Sequence, residues 1–180
     1  MNVRAVAIVS LAVAASVVSF AVAAGGPTRG VTEDCSTQSR GGFANPFSNP
    51  ANLVIGPLVL VGAGGDDAGF SPEAGGNKFP LIVRPGHRVR IALPRSARPG
   101  AGLAYGPLPT GEVGVADAHR VVKFIACRRL SPGSAEGGRR GFWPGGVLAE
   151  SPRCVPLRVW VDDRRSPRRV VLRMGVDSCQ

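Results

Sequence analysis

The sequence contains few of the groups on which catalysis usually depends. It has only two histidines, His87 and His119, and it lacks G-x-S-x-G, H-E-x-x-H and a glycine-rich phosphate loop of P-loop spacing. Metal ligands are also scarce, because Asp117 and His119 form only a pair where a site needs three or four ligands. We therefore predict a protein that is not an enzyme and that uses no cofactor and no metal.

Beyond its first 24 residues, the chain lacks any apolar run long enough to span a membrane. At the N-terminus, Arg4 precedes an apolar segment over 5–22, and small residues suited to cleavage follow at Ala23 and Ala24. These features predict a secretory signal peptide over 1–24, cleaved near Ala23 or Ala24, and hence a secreted, extracytoplasmic protein. The alternative is that the segment is kept as an N-terminal anchor.

The four cysteines lack the close spacing of a zinc site, since no two of them form a C-x-x-C pair. An even number of cysteines in an exported chain predicts two disulfides. If a strand ending at Cys127 ran antiparallel to one starting at Cys154, these two would lie within bridging reach, which favours Cys127–Cys154 together with Cys35–Cys179. A strand ending at Cys179 would also return near Cys154, so Cys154–Cys179 with Cys35–Cys127 stays open.

Helical periodicity is missing after the signal segment, and apolar residues alternate with polar ones instead. The segments 154–161 and 169–176 each place their apolar residues on one face, with a polar loop between them, which predicts an antiparallel hairpin. A Pro-Gly turn inside 79–93 predicts a second hairpin. Further strands are predicted over 53–61, 119–127 and 142–150, and loops over 62–77 and 94–110.

Seven or eight short strands with turn residues between them predict an all-β protein, namely a single antiparallel β-sandwich. We assign this domain to 51–180. The preceding segment, 25–50, is predicted to be an N-terminal arm tethered by Cys35.

The chain resembles bacterial exported domains of immunoglobulin-like type over 79–93 and 121–176. The resemblance rests on the Pro-Gly turn between two alternating strands. It implies an immunoglobulin-like sandwich and brings no functional residue with it.

Acidic residues are few, with 12 Asp and Glu against 22 Lys and Arg, which gives a net charge of +10. A GC-rich coding bias can enrich arginine by itself, so the distribution of charge is more informative than its total. Residues 128–180 hold 11 arginines and 5 acidic residues, and eight of these arginines form four doublets. With two tryptophans, the doublets are the candidate anion-binding residues: Arg128, Arg129, Arg139, Arg140, Arg164, Arg165, Arg168, Arg169, Trp143 and Trp160.

Arginines beside exposed aromatic rings can hold an anionic polymer through charge and stacking. The competing interpretation is a solvated surface in which Asp162 and Asp163 pair with neighbouring arginines and a loop covers Trp160. We predict a structural or binding role at the cell envelope or outside it. The candidate anionic partners are wall polymers, lipid headgroups and nucleic acid, although the chain has no specific nucleic-acid motif.

A second resemblance supports an alternative function. Gly86-His87-Arg88 and the cysteine that ends a predicted strand, Cys127, resemble the sortase transpeptidases, which are exported β-barrel enzymes. This resemblance implies an envelope cysteine transpeptidase built on His87, Cys127 and Arg139 or Arg140. The sequence departs from that family because Phe-Ile-Ala precedes Cys127, and three other cysteines are present that could oxidise its thiol.

Overall fold

The computed structural model describes residues 30–65, 68–128 and 141–179, which contain eleven β-strands, two 3₁₀ turns and no α-helix. The all-β prediction is confirmed, with more strands than the seven or eight expected. The predicted signal peptide lies outside the described residues, among which no helix is long and apolar enough to cross a membrane. The strands are β1 (Val31–Glu33), β2 (Leu53–Ile55), β3 (Leu58–Leu60), β4 (Gly76–Lys78), β5 (Leu81–Val83), β6 (Arg88–Ala92), β7 (Ala101–Tyr105), β8 (Val121–Ile125), β9 (Gly145–Ala149), β10 (Arg153–Val161) and β11 (Arg168–Met174).

The largest sheet has five strands in the order β1-β8-β6-β10-β11. Its longest strand, β10, pairs antiparallel with β6 on one side and with β11 on the other. Alternation along β10 buries Val155, Leu157 and Val159 and leaves Arg158 exposed. The predicted hairpin of β10 and β11 is therefore confirmed, and one face of the sheet is buried while the other carries exposed arginines together with the exposed Val171.

Strand β1 differs from two predictions, namely that 25–50 is an arm outside the sheets and that all strands pair antiparallel. It pairs with β8 in parallel, with Thr32 opposite Lys123. A parallel neighbour cannot be joined to its partner by a tight turn, so β1 reaches the sheet edge from a distant part of the sequence. Part of the predicted arm is therefore a strand of the main sheet.

Two smaller sheets, β2-β3-β5 and β4-β9-β7, are linked to each other by one stretch of backbone. Only two residues separate β4 from β5, and the first of them, Phe79, donates its amide to the Gly145 carbonyl at 2.9 Å. Leu81 and Trp143 exchange two backbone hydrogen bonds of 3.0 and 2.9 Å. The segment 76–83 therefore has hydrogen-bonded neighbours in both small sheets.

One hydrophobic core is shared by all three sheets. The ring of Phe124 on β8 lies 5.3 Å from that of Tyr105 on β7 and 5.2 Å from that of Trp143, measured between centroids, and all three side chains are buried. The Tyr105 hydroxyl donates to the Phe79 carbonyl at 2.7 Å, which satisfies its polar atom, and burial raises the pKa of Tyr105. This aromatic cluster ties the five-stranded sheet to the small sheets.

The predicted hairpin over 79–93 is wrong. Strand β5 pairs with β3, whereas β6 pairs with β8 and β10, so the turn between them carries the chain from one sheet to another. Alternation and a Pro-Gly turn suit either arrangement, because neither feature specifies which strand will be the hydrogen-bonded neighbour.

The predicted single strand over 53–61 is instead a tight hairpin. Strands β2 and β3 pair antiparallel around Gly56 and Pro57. Gly56 has φ +63, a left-handed conformation that glycine adopts without steric cost. Gly56 and Pro57 therefore form the turn between two strands, where a single strand was predicted.

The predicted loop 62–77 overlaps strand β4, and the predicted loop 94–110 contains strand β7; these two strands flank β9. Their glycines had indicated irregular structure. A Cβ on Gly76 would lie 2.2 Å from the Val147 carbonyl oxygen, and one on Gly102 would lie 2.3 Å from the Ala118 Cβ. Glycine serves close packing at these positions, and the residue type alone does not separate that role from a loop.

The disulfides join Cys35 to Cys127 and Cys154 to Cys179, with Cα–Cα distances of 5.0 and 5.8 Å. The favoured pairing was wrong, and the alternative that stayed open is observed. Strand β6 lies between β8 and β10, so the end of β8 is not adjacent to the start of β10. Two disulfides indicate an oxidising, extracytoplasmic environment.

Candidate anion-binding surface

The outward side of the five-stranded sheet carries basic side chains from four adjacent strands. All four of these residues are exposed: Lys123 on β8, Arg90 on β6, Arg158 on β10 and Arg169 on β11. The first three lie between buried neighbours, and Arg169 lies between exposed Arg168 and partly buried Val170. Because alternate residues of a strand share one face, these four lie on the side away from the core. We call these four residues the basic face.

Within the basic face, like charges are direct cross-strand neighbours. Arg90 is opposite Lys123, and Arg158 is opposite Arg169. Such positions place Cβ atoms about 4.5–5.5 Å apart, and like charges there destabilise a sheet. None of the four forms an ion pair with another residue that the structure describes. The sheet therefore carries a like-charge repulsion that no ion pair among the described residues offsets.

Trp160 lies among these cations on β10. It is opposite Arg90, whose guanidinium carbon is 4.0 Å from the centroid of the indole ring. This cation–π contact orients Arg90 and leaves it charged. Trp160 is partly exposed, and its part in anion binding stays a prediction.

The hairpin loop between β10 and β11 distributes its arginines over different surfaces. Arg164 and Arg165 are exposed in the loop. Arg168 and Arg169 are consecutive strand residues, so they point to opposite sides of the sheet. Arg168 lies beside the turn at Gly56, whereas Arg169 belongs to the basic face. Only one member of this doublet therefore joins the four-strand surface.

The two acidic residues of this loop pair with side chains at one end of the sheet: Asp162 with His87, and Asp163 with Arg88. Asp162 accepts a hydrogen bond of 3.0 Å from the Arg88 amide, and its other carboxylate oxygen is 3.0 Å from His87 Nδ1. The bond from the Arg88 backbone, followed by that from His87, lowers the pKa of Asp162. Asp163 pairs with the Arg88 guanidinium at 4.0 Å. Neither acid is paired with a residue of the basic face.

We expect the substitution Asp162→Asn to reduce the folding stability at neutral pH. The variant should also lose less stability than the wild type as the pH falls. The pKa of Asp162 is lower in the folded state than in the unfolded state, where it is ~3.9. The carboxylate therefore stabilises the folded protein at pH values above the unfolded pKa, and this stabilisation is lost as the pH falls through the folded-state pKa. The carboxylate is mostly exposed, so the loss should stay below about 1 kcal/mol. Asparagine also tolerates the left-handed backbone at this position, φ 52.

Urea unfolding of both proteins at pH 7 and at about pH 2.5 checks this expectation. The difference in unfolding free energy should be present at neutral pH and should shrink in acid. An equal difference at both values would show that the carboxylate charge is not its source.

The other sequence candidates do not join the basic face. Arg128 is exposed just after β8, near the turn before β6, where the Gly86 amide donates to the Cys127 carbonyl at 2.9 Å. Trp143 is 1% exposed in the core, so its prediction as a ligand-stacking residue is wrong. Arg129, Arg139 and Arg140 lie outside the described residues.

Sequence reasoning did not assign Arg90, Lys123 or Arg158 to the candidate site. The doublets directed attention to loops, whereas these residues are single basic residues in strands. A usable signal exists in Arg88-Val89-Arg90-Ile91, where basic and apolar residues alternate. That pattern places the arginines on the outward face, but only the strand order brings Lys123 beside Arg90.

Two of the residues implied by the sortase resemblance, His87 and Cys127, lie near each other in the structure. The Ala126 amide donates to the His87 carbonyl at 3.1 Å, so His87 lies next to the segment that contains Cys127. Cys127 is bonded to Cys35, however, and so has no thiol, and the His87 ring faces Asp162. Among the described residues, no group of three His, Cys, Asp or Glu is placed to hold a metal ion.

Comparisons with protein-family models, with curated proteins and with solved structures found no match.

Proposed function

We propose that this chain is a secreted, non-enzymatic binding protein whose basic face holds an anionic polymer of the cell envelope. The observation that carries the proposal is the pair of like-charged cross-strand contacts, Arg90 with Lys123 and Arg158 with Arg169. A bound polyanion would supply the opposite charge that the described residues do not provide. Binding would then relieve the repulsion between the like charges of the ligand-free sheet, and this relief would add to the affinity.

The dimensions of the basic face suit a polymer better than a single small ion. Its residues occupy four adjacent strands, and three interstrand steps span about 14 Å. Several anionic groups of one chain can therefore be contacted together. The oxidising environment indicated by the disulfides favours a wall-type phosphate polymer over nucleic acid.

The architecture that we propose to present this face is an immunoglobulin-like sandwich. In it, the five-stranded sheet forms one layer and the two linked small sheets form the other. The contacts of Phe124 with Tyr105 and Trp143, which connect the sheets through the core, support this arrangement. The outward side of the five-stranded layer would then be free for a ligand.

Binding to poly(glycerol phosphate) at several salt concentrations tests the function. Affinity should fall steeply as salt rises, because binding releases counterions. The variant Arg158→Gln/Arg169→Gln should bind roughly tenfold more weakly, and its log–log salt slope should be smaller by about 1.5. Its thermal stability should be unchanged or slightly higher, because one like-charged pair is removed.

The matched control is Arg40→Gln/Lys78→Gln, which removes the same charge from exposed positions in or beside the small sheets. It should keep nearly all of the wild-type affinity. The proposal is wrong if the wild type does not bind near 0.15 M salt, a concentration at which scattered surface charge is largely screened, or if the two double variants bind equally. Tighter binding to single-stranded DNA or to anionic vesicles would identify a different polyanion.

A further inference from the structure

A cleft of about 480 Å³ opens beside the start of β10, at the opposite end of that strand from the hairpin loop. One wall is formed by 96–101, the segment that connects β6 to β7, and the other by β10 residues including Cys154 and Pro156. Ala97 and Pro99 provide apolar surface. The volume lies within the range of small-ligand sites, which combine apolar walls with a few polar groups.

Arg153 places a positive charge in this cleft. It is partly buried, and a Cβ on Gly100 would overlap its guanidinium group, so the missing side chain at position 100 makes room for it. Neither a hydrogen bond nor an ion pair connects this guanidinium to another described residue. Partial burial of an unpaired charge is costly, and an external oxyanion would offset that cost by a two-point contact.

Two neighbouring arginines have a different role, because their guanidinium groups are bound to backbone. Arg98 Nε donates to the Leu93 carbonyl at 3.3 Å, and Arg120 donates to the Ala101 carbonyl. Burial lowers the pKa of Arg120 and the charge of Arg98 lowers it further, whereas the nearby negative charge of Glu150 acts in the opposite direction. These contacts hold both ends of the 93–101 wall in place.

Glu150 lines the same cleft and carries the opposite charge. Its carboxylate is exposed, and it forms no ion pair within the part of the chain that the structure describes. Glu150 follows β9, and its amide donates to the Gly100 carbonyl at 3.3 Å, which anchors its backbone to the wall of the cleft. The cleft thus presents one guanidinium and one carboxylate that are not paired with each other.

We propose that this cleft binds a small zwitterion of amino-acid or short-peptide type. Arg153 would hold the ligand carboxylate, Glu150 would attract its ammonium group, and Ala97, Pro99 and Pro156 would contact its body. This site is separate from the proposed function of the basic face, because neither Arg153 nor Glu150 belongs to that face.

The test uses three probes with the same alanyl-alanine body and different terminal charges, and binding is followed by the amide chemical shifts of the full chain. Alanyl-alanine carries both charges, N-acetyl-alanyl-alanine lacks the ammonium, and alanyl-alanine amide lacks the carboxylate. We expect alanyl-alanine to shift the amides of Gly100 and Ala101 with millimolar affinity, and each blocked probe to bind about tenfold more weakly.

Two variants assign the charges. Arg153→Met keeps most of the aliphatic stem and should bind alanyl-alanine at least about tenfold more weakly. Glu150→Gln should reduce the preference for a free ammonium and leave the preference for a free carboxylate. Arg40→Met, at an exposed position outside both the cleft lining and the basic face, is the control and should bind like the wild type.

The proposal is overturned if alanyl-alanine causes no shift up to about 10 mM, or if Arg153→Met binds as well as the wild type. It is also overturned if the amidated and free dipeptides bind equally. Poly(glycerol phosphate) binding should be nearly unchanged in Arg153→Met, so failure at the cleft and failure at the basic face can be told apart.

Discussion

Removal of the Cys35–Cys127 disulfide should destabilise the protein more than removal of Cys154–Cys179. The first bond closes a loop with a sequence separation of 92 and the second one of 25. Loop-closure entropy assigns roughly 4.7 kcal/mol to the longer loop and roughly 3.5 kcal/mol to the shorter one. Either value is a large part of the roughly 5–15 kcal/mol by which a domain is usually stable.

A local effect acts in the same direction. Cys35 begins a 3₁₀ turn over Cys35–Thr37, capped by Asp34, and this turn follows directly after the parallel edge strand β1. Because β1 has only three residues and one neighbouring strand, it depends on its attachments to stay in the sheet. The bond to Cys127 fixes the turn to the segment that follows β8.

Urea unfolding of Cys35→Ser/Cys127→Ser and of Cys154→Ser/Cys179→Ser measures the difference. We expect the first variant to lose about 1 kcal/mol more than the second, or to be unfolded at 37 °C. An equal or smaller loss would mean that β1 and its turn are held mainly by other contacts. Single serine variants are less suitable, because each leaves a free thiol that can exchange with the remaining disulfide.

Local features of the sequence were sufficient to predict some of the strands. The hairpin of β10 and β11 was predictable because two long alternating segments flank a polar loop that contains proline. Strand β8 was predicted from the Val, Phe and Ile content of 119–127, and β9 lies within the irregular strand predicted over 142–150. The partner of each strand was not predictable, because the alternation in β5 and β6 defines a buried face and not the neighbouring strand.

The errors in the disulfides and in the candidate site have this same cause. The insertion of β6 between β8 and β10 separated Cys127 from Cys154 and at the same time placed Lys123 beside Arg90. Both consequences depend on strand order, which comes from contacts between distant parts of the sequence. Trp143 was misassigned for a different reason, because it was grouped with the Arg139–Arg140 doublet that precedes it in the sequence. Nearness in sequence to charged residues does not show whether a ring is exposed, and this ring is buried against Phe124.

Truncation of Trp143 should be among the most damaging single substitutions in the chain. Its ring contacts Phe124 in the core, and its indole nitrogen donates to the Asp34 carbonyl at 3.2 Å and to Thr37 Oγ1 at 3.0 Å. Trp143→Ala should cost about 3–5 kcal/mol, since it leaves a cavity between the sheets. Trp143→Phe keeps an aromatic ring and should cost about 1–3 kcal/mol for its lost hydrogen bonds and volume.

The indole contacts reach the same 3₁₀ turn that the Cys35–Cys127 disulfide holds, so the two should be energetically coupled. In a double-mutant cycle, Trp143→Phe should cost less in the Cys35→Ser/Cys127→Ser background than in the wild type, by about 0.5–1 kcal/mol. The reason is that a turn released from the disulfide no longer presents Asp34 and Thr37 reliably to the indole. Strict additivity would show that Trp143 stabilises the core alone and that β1 is attached to the sheet independently of it.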